Sequence, residues 1–284
     1  MGLFSGKVVI VTGSGNGIGR AHALAFAKAG ACVVVNDVGG ARDGAGKDQR
    51  AADAVVDEIK AAGGEAIATH TSVSDLDGAD MILWSALNRF KRVDVLINNA
   101  GILRDRALTN MSTAEWDSVI DVHLKGTFLM SRAFARVIKT QGGGGYAIVN
   151  TTSVSGLRGN FGQANYAAAK AGIYGLTRVS SIEPEKLGCR VNAIAPVALT
   201  RMTEDVPRLQ QMGIENLGPQ HISPVALWLA SDLASDVNGR IFGVHGPKVF
   251  EYRMSQSDGL DAPPGGLEWT PEALAASLPR FALA

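Results

Sequence analysis

Short apolar runs alternate with longer, partly polar stretches along the first 250 residues of the chain. The first run, Lys7–Thr12 (KVVIVT), is rich in Val and Ile and lacks the alternation of a strand with one solvent-exposed face. Such runs are typical of parallel strands that are buried on both sides. We predict seven of them, at Lys7–Thr12, Cys32–Asn36, Glu65–Thr69, Val93–Ile97, Tyr146–Thr151, Cys189–Ala195 and Arg240–Val244.

The stretches between these runs show the apolar spacing of helices. The helix after the first strand ends at Gly30, and Ser72 is a candidate N-cap for a later helix. We predict helices at Arg20–Ala29, Gln49–Ala62, Ser72 to about Lys91, Thr113 to about Thr140, Gln163 to about Leu187, Val225–Leu233 and Pro271–Leu278. Strict alternation of strand and helix predicts an α/β fold: a single-domain, Rossmann-type, doubly wound parallel sheet of seven strands with helices on both faces.

Two segments lie outside this alternation. Residues 196–221 contain three prolines and follow the sixth strand, where a long irregular loop is usually functional. We predict a substrate lid in this segment. Residues 251–284 are rich in Pro and Gly. We therefore expect one catalytic domain over residues 1–250 and a C-terminal extension over residues 251–284.

Composition excludes several classes of function. Lys plus Arg and Asp plus Glu both number 27, so no global basic field is present for nucleic acid. No apolar run reaches the roughly 18 residues that a membrane span needs, and the N-terminus has no long apolar signal region. Cys32 and Cys189 are interpreted as core residues, with a disulfide or a catalytic thiol as the alternative, and no zinc-type spacing is present. We expect a cytoplasmic protein with no metal site.

A glycine-rich turn follows the first strand. Its sequence, Gly-Ser-Gly-Asn-Gly-Ile-Gly, lies between a strand and a helix, which is the context of a dinucleotide-binding turn. Glycines let the backbone approach a pyrophosphate, and the helix N-terminus offers free N–H groups. A merely tight turn is the alternative. The candidate cofactor residues here are Gly13, Asn16, Gly17, Ile18 and Gly19.

Asp37 ends the second strand, where a carboxylate can bond both ribose hydroxyls of an adenosine and repel a 2′-phosphate. This favours NAD over NADP. The alternative is an aspartate that caps the following loop. That loop also contains Arg42 and Lys47, and NADP stays an alternative because either cation could bind its 2′-phosphate.

Other candidate cofactor residues follow the third, fourth and sixth strands, at the sheet edge where open α/β folds bind ligands. Asn98 and its successors either contact the cofactor or tie the strand to its neighbours, with a structural turn as the alternative. We include Ser72, Val73, Asn99, Ala100, Gly101 and Pro196 in the candidate cofactor site.

Tyr166 and Lys170 lie four residues apart in a predicted helix, so both side chains project from one face. A neighbouring ammonium favours the phenolate of a tyrosine, and such a pair can move a proton. Ser153 ends the fifth strand, and a loop can bring its hydroxyl back to Tyr166. The spacing alone is weak, since a partly buried ring beside a solvated lysine is common.

Together these motifs resemble the short-chain dehydrogenases/reductases: Thr12-Gly13-x-x-x-Gly17-Ile18-Gly19, Asn98–Gly101, and Ser153 with Tyr166-x-x-x-Lys170. The resemblance covers about residues 5–250. It implies a nicotinamide-dependent enzyme in which Tyr166 is the general base and Ser153 bonds the substrate oxygen. It also implies that Lys170 lowers the pKa of Tyr166 and holds the nicotinamide ribose, so Tyr166 and Lys170 are cofactor-binding too.

A narrower resemblance is to the (3R)-hydroxyacyl-CoA dehydrogenase unit of peroxisomal multifunctional β-oxidation enzymes, which is also classed with 17β-hydroxysteroid dehydrogenases. It rests on segments 36–40, 100–106, 122–124, 159–166 and 201–203. It implies an acyl-CoA substrate, with a hydroxysteroid or another secondary alcohol as the alternative and a non-catalytic cofactor-binding sensor or scaffold as a remote one. Arg104, Arg106 and Arg158 are either contacts for CoA phosphates or solvated structural residues.

The chain departs from the broader family at His123 and Val197. The family has Asn where His123 stands, and this histidine is a core residue, a helix-interface residue or a fourth catalytic residue. Val197 replaces a glycine after Pro196 and cannot take positive φ values cheaply. The family also pairs the helices around His123 and Tyr166 in dimers, so the resemblance implies a homodimer or homotetramer.

Overall fold

In the part of the chain that the structure describes, the buried apolar runs and one exposed edge strand pair side by side in a single sheet of eight strands, ordered β3-β2-β1-β4-β5-β6-β7-β8. We describe the chain from a computed structural model that covers residues 2–46, 48–200, 217–261 and 268–281. The strands are β1 (Val8–Thr12), β2 (Cys32–Asn36), β3 (Glu65–Thr69), β4 (Val95–Asn98), β5 (Tyr146–Thr151), β6 (Cys189–Val197), β7 (Ile241–His245) and β8 (Lys248–Tyr252).

Strands β1 to β7 pair in parallel, and the strand order reverses at β1. Val11 of β1 lies opposite Val35 of β2 on one side and Ile97 of β4 on the other. The chain winds outward from β1 in both directions, so a crevice forms at the carboxyl ends of β1 and β4. The predicted doubly wound parallel sheet is confirmed.

Helices cover both faces because side chains alternate along each buried strand. Val9 and Val11 lie in one hydrophobic core, whereas Val8 and Ile10 lie in the other. The helices are α1 (Gly17–Lys28), α2 (Arg50–Ala61), α3 (Gly78–Phe90), α4 (Thr113–Ile120), α5 (Gly126–Gln141), α6 (Val154–Arg158), α7 (Ala164–Ser180), α8 (Ser223–Ala230) and α9 (Pro271–Phe281).

The count of seven strands was wrong by one. β8 follows β7 after two residues, Gly246 and Pro247, and a connection that short joins antiparallel strands. Its sequence, KVFEY, mixes charged and apolar residues as an exposed edge strand does. The seven predicted strands are the buried parallel ones, and β8 lies at the end of the domain predicted over residues 1–250.

The helix predicted over Val225–Leu233 runs from Ser223 to Ala230, and three other predicted helices differ more from the observed ones. The helix expected over 113–140 is interrupted by a π-helical segment, Asp121–Lys125, between α4 and α5. The helix expected over 163–187 ends at Ser180, and Pro184 lies in a separate 3₁₀ turn. The third helix begins at Gly78 and not at Ser72, since the Ser72 hydroxyl contacts Ser74 and caps no helix.

The chain forms two compact units, Met1–Glu251 and Tyr252–Ala284. The first unit contains the sheet, and the second contains α9. A catalytic domain over 1–250 with an extension over 251–284 stays a functional prediction. The predicted lid falls mostly on residues 201–216, which lie outside the described residues, as does the motif Arg201-Met202-Thr203.

Candidate active site

The glycine turn after β1 is closely packed against the loop that follows β4. Gly13 has a φ of +62°, and a Cβ there would lie 2.6 Å from the Cα of Ala100. A Cβ on Gly19 would lie 2.1 Å from the Gly13 carbonyl oxygen. Side chains are therefore excluded at the start of α1, and the backbone N–H groups at this helix N-terminus are left open to an anion. Such a turn fits the pyrophosphate of a dinucleotide.

The other predicted residues of the turn lie around the start of α1. Asn16 directly precedes the helix and lines a cavity of about 640 Å³, and Gly17 is the first helical residue. Ile18 is partly buried against the core on the α1 face of the sheet. The turn is thus held by the core and opens toward the cavity, as a cofactor site requires.

Both carboxylate oxygens of Asp37 accept backbone hydrogen bonds. Gly15 N donates to Oδ2 at 2.7 Å, and Gly39 N donates to Oδ1 at 2.7 Å. Asp37 thus caps the loop, as the alternative interpretation held, and its free lone pairs can still accept from ribose hydroxyls. Arg50, which lines the same cavity, is paired with Asp48 at 2.8 Å. Lys47 lies outside the described residues.

The residues after β4 tie this strand to its neighbours. Asn98 Nδ2 donates to Asn150 at 2.9 Å, and Asn99 Nδ2 donates to the carbonyl oxygens of Thr12 and Gly13. The Thr12 hydroxyl accepts from the backbone N–H groups of Asn99 and Ala100. These contacts fix the crevice between β1 and β4 before any ligand enters.

Ser72 and Val73 lie beyond β3, and Pro196 lies near the end of β6. Val73 is buried, and a Cβ on Gly126 would lie 2.7 Å from its Cγ2, so Val73 packs against the start of α5. Pro196 and Val197 belong to β6 and pair with β7. Val197 therefore takes an extended conformation that valine adopts freely, and the missing glycine causes no strain here.

Ser153, Tyr166 and Lys170 are brought together at the carboxyl end of β5. The Ser153 hydroxyl lies near the Tyr166 phenol and lowers its pKa. It also accepts from Ser155 N at 3.2 Å, as the N-cap of the short helix α6. Lys170 Nζ lies 5.5 Å from the centroid of the Tyr166 ring and donates to the Thr151 carbonyl oxygen at 2.6 Å. A phenol, a hydroxyl and an amine thus lie near one another at the carboxyl end of β5.

Burial sets the pKa values of this cluster. It raises the pKa of Tyr166 to about 12, which the Ser153 hydroxyl opposes and the charge of Asp105 reinforces. It also lowers the pKa of Lys170 to about 7, because an ammonium loses its hydration there. We expected Lys170 to lower the pKa of Tyr166. In the structure the group that does so is Ser153, while the Lys170 amine is directed to Thr151.

His123 lies beside Tyr166, in the π-helical segment. The two rings meet edge to face with centroids 5.2 Å apart. Nε2 of His123 is 3.0 Å from the backbone nitrogen and 2.8 Å from the carbonyl oxygen of Ile102. Burial and the charge of Lys170 hold the pKa of His123 well below its usual value, so the ring is neutral. Its Nδ1 has no hydrogen-bond partner among the described residues.

Sequence reasoning missed a network that holds the loop after β4 to the start of α7. Asn165 Nδ2 donates to the carbonyl oxygens of Arg104 and Glu115, at 2.9 Å and 3.0 Å. Gln163 Nε2 donates to Asp105 at 2.8 Å. The only signal in the sequence was the position of these amides directly before Tyr166.

The three arginines near this network differ in their surroundings. Arg104 Nε donates to the Asp43 carbonyl oxygen at 2.8 Å, whereas Arg106 Nε contacts Glu115 at 3.4 Å. Arg158 is exposed at the end of α6. Arg104 is therefore held by a loop of this chain and is a weaker candidate for substrate phosphates.

The family model described as short chain dehydrogenase matches residues 7–211. The chain is 45% identical over 271 residues to the peroxisomal hydratase-dehydrogenase-epimerase of Saccharomyces cerevisiae; the match covers 95% of this chain and 29% of that protein. It is 43% identical to the hydroxyacyl-CoA dehydrogenase ChsB1 of Mycobacterium tuberculosis, with 96% and 88% covered. The crystal structure of a short chain dehydrogenase from Mycobacterium avium is 43% identical, with a TM-score of 0.85 over 99% of this chain and 96% of that one.

The chain belongs to the short-chain dehydrogenase family, and both resemblances found in the sequence are confirmed. It spans less than a third of the length of the yeast relative, whose name includes two further activities. Among the described residues no helix is long and apolar enough to cross a membrane.

Proposed function

We propose that this protein is an NAD-dependent dehydrogenase that transfers a hydride between the cofactor and a secondary alcohol, most specifically a (3R)-3-hydroxyacyl-CoA. The observation that carries the proposal is the Ser153, Tyr166 and Lys170 cluster beside the crevice at β1 and β4. A cofactor held at the glycine turn would reach this cluster along the carboxyl edge of the sheet.

In this proposal Tyr166 accepts the proton of the substrate hydroxyl as general base. The Ser153 hydroxyl, which lowers the pKa of the same phenol, holds the substrate oxygen and favours the phenolate. Lys170 stabilises the phenolate when its amine is protonated, from 5.5 Å to the ring centroid. A bound nicotinamide supplies the hydride acceptor for oxidation and the hydride donor for reduction.

The preference for NAD rests on Asp37. Its carboxylate is bonded to Gly15 N and Gly39 N, beside the cavity-lining residues Asn16 and Gly40, and a 2′-phosphate there would meet a negative charge. Arg50, a cation of the cavity lining, is already paired with Asp48 and is therefore less available to a phosphate. Both features support the diol of NAD over the phosphate of NADP.

The acyl-CoA substrate rests on the relatives. One bears the name hydroxyacyl-CoA dehydrogenase, and the yeast protein is a peroxisomal hydratase-dehydrogenase-epimerase. Burial keeps the Tyr166 phenol and the His123 ring uncharged, and neutral groups beside the reacting atoms suit an uncharged hydroxyacyl group. The CoA part would lie nearer the exposed Arg106 and Arg158.

An oligomer fits the exposed apolar residues of the helices around the site. Trp116 on α4 and Phe128 on α5 are 38% and 44% exposed, and Val179 near the end of α7 is 52% exposed. Apolar side chains in such positions are typical of a helical interface between copies. We propose that α4, α5 and α7 form this interface in a homodimer or homotetramer.

Steady-state rates with NAD and NADP, measured against a panel of (3R)- and (3S)-3-hydroxyacyl-CoAs and hydroxysteroids, test the proposal. We expect the largest kcat/KM for NAD with a (3R)-3-hydroxyacyl-CoA. Tyr166→Phe should bind NAD nearly as wild type does while turnover falls by orders of magnitude, since the proton acceptor is lost. Retained turnover in Tyr166→Phe would contradict the assignment, and equal rates with steroids would contradict the substrate.

A further inference from the structure

Two loops at the carboxyl edge of the sheet matter here: the β2 loop, residues 38–46, and the β4 loop, residues 99–107. The β2 loop is folded on itself at its base. Asp48 N donates to the Gly39 carbonyl oxygen at 3.0 Å, and Ala41 N donates to the Ala45 carbonyl oxygen at 2.7 Å. Gly44 N donates to the Ala41 carbonyl oxygen at 2.9 Å. The loop is thus an ordered projection whose tip is residues 42–44.

This tip rests on the β4 loop. Leu103 N donates to the Arg42 carbonyl oxygen at 2.9 Å, and Arg104 Nε donates to the Asp43 carbonyl oxygen at 2.8 Å. Gly44 lies so near Ile102 that a Cβ would be 3.2 Å from its side chain. Because β1 lies between β2 and β4 in the sheet, the contact crosses above the end of β1, where the glycine turn lies.

The cavity of about 640 Å³ lies between the β2 loop and the glycine turn. Its lining includes Asn16 from the turn, Gly39 to Ala41, Ala45 and Gly46 from the β2 loop, and Ala51 from α2. Asp37 accepts from Gly15 N, the neighbour of the lining residue Asn16, and from Gly39 N, which belongs to the lining. A cavity of this size with a carboxylate for a ribose diol suits an adenosine.

Arg104 is fixed on its other side by the helix that carries Tyr166. The fully buried Asn165 donates to the Arg104 carbonyl oxygen at 2.9 Å. The backbone of Arg104 is therefore held to the residue that precedes Tyr166. The Arg104 guanidinium reaches the β2 loop through a charge-assisted hydrogen bond. The β2 loop is 61 residues away from Arg104 in sequence.

We propose that Arg104 is a positioning residue for the cofactor: it fastens the β2 loop across the crevice and so covers the adenosine half of a bound dinucleotide. The inference rests on the proposed function, since it takes the crevice to be the cofactor site. A loop that is already closed loses less conformational freedom when the dinucleotide binds, and affinity rises accordingly. In the alternative for Arg104, the N–H groups of its guanidinium other than Nε contact substrate phosphates.

Direct binding separates these roles. We would measure the Kd of NAD and of ADP-ribose, which lacks the nicotinamide, by calorimetry for wild type, Arg104→Ala and Arg106→Ala. Arg106 is the matched control, because its side chain contacts Glu115 on α4 and not the β2 loop. We expect Arg104→Ala to raise both Kd values by about twofold to tenfold, the effect of one hydrogen bond, and Arg106→Ala to leave both unchanged.

Trypsin cleavage after Arg42, followed by mass spectrometry, gives a second readout that needs no activity. We expect faster cleavage in Arg104→Ala, and in Arg104→Lys should the alanine variant fail to fold. Unchanged Kd values and cleavage rates in a folded variant would overturn the inference, as would an unchanged Kd for NAD with a raised KM for acyl-CoA. Wild-type protein that binds neither NAD nor NADP would contradict the proposed function and the inference with it.

Discussion

The imidazole ring of His123, which packs against Tyr166, fills the space that a side chain on Gly101 would need. A methyl group on Gly101 would lie 2.2 Å from Cε1 of His123 and 2.9 Å from each ring nitrogen. The ring cannot move away freely, because Nε2 contacts the Ile102 backbone and the ring edge meets Tyr166. Since the pKa of His123 lies well below its usual value, we interpret the ring as a neutral spacer between the β4 loop and α7.

Gly101→Ala should therefore displace the His123 ring and disturb Tyr166. We expect kcat to fall at least about tenfold and the free energy of unfolding to fall by about 1–3 kcal/mol, as overpacking does. His123→Ala in the same chain should relieve the clash, so the double variant should be more stable than Gly101→Ala. Urea unfolding and kcat of the four proteins check this. Strictly additive losses would show that the two residues do not interact.

Ser153→Ala tests whether the Ser153 hydroxyl forms a hydrogen bond that lowers the pKa of the Tyr166 phenol. Such a bond lowers the pKa of a group that burial has raised to about 12, so its loss raises that pKa further. We expect the alkaline rise of kcat/KM to move to higher pH by up to about one unit, since one hydrogen bond is worth about 1 kcal/mol. Ser155→Ala, in which only the hydroxyl of the neighbouring serine is lost, should keep the wild-type profile. A Ser153→Ala profile identical to wild type would contradict the contact.

The sheet could be predicted from the sequence because a strand that is buried on both faces is apolar at every position. Runs such as KVVIVT and CVVVN are apolar throughout, and they pair as β1 and β2. β8 has no such apolar run, because an edge strand such as KVFEY contains charged residues. The site motif was also predictable: Tyr166 and Lys170 meet because helix geometry fixes their spacing.

Features that depend on two distant segments could not be predicted in this way. The His123 ring packs against Gly101 from a π-helical turn. The apolar periodicity of the sequence does not distinguish such a turn from an α-helix. The bond from Arg104 to the Asp43 backbone depends on the conformation of two loops, for which sequence gives no register. The pKa values of Tyr166 and Lys170 likewise follow from burial, which spacing alone does not reveal.

Asp37→Ala should change the cofactor preference. The carboxylate accepts from Gly15 N and Gly39 N, and in the proposed function also from the adenosine ribose. Its loss should weaken NAD binding about tenfold or more and remove the repulsion of a 2′-phosphate, so the ratio of NADP to NAD use should rise. Kinetics with both cofactors measure the ratio. The control is Asp57→Asn, an exposed carboxylate on α2, which should keep the wild-type preference. An unchanged ratio in Asp37→Ala would remove Asp37 from the cofactor site.

Phe128→Asp tests the proposed interface between copies. Phe128 is 44% exposed on α5, and the Arg132 guanidinium lies 5.2 Å from its ring centroid. A carboxylate there would be buried in an apolar interface, and we expect a smaller species in light scattering coupled to gel filtration. Trp84→Asp is the control, because Trp84 is 66% exposed on α3, away from the proposed helices. Dissociation in Trp84→Asp alone would move the interface to α3.

The burial of Lys170 should make the free energy of unfolding rise with pH. Its pKa falls from 10.5 to about 7 on folding, so between these values the unfolded chain binds the extra proton. The free energy of unfolding must then rise with pH across this window. Below pH 7 the protein bears the full free-energy cost of burying a charged ammonium. Lys170→Met lacks the titrating group. We expect the free energy of unfolding of wild type, relative to Lys170→Met, to rise by roughly 2–3 kcal/mol between pH 7 and pH 9.

Urea unfolding without nucleotide at a series of pH values measures this difference for wild type and Lys170→Met. Lys139→Met, an exposed lysine near the end of α5, is the matched control and should follow the wild-type curve. A wild-type curve parallel to that of Lys170→Met would mean that the buried amine keeps its ordinary pKa. In that case the ammonium is stabilised in place, its bond to the Thr151 carbonyl outweighs burial, and Lys170 is charged throughout the working range of the enzyme.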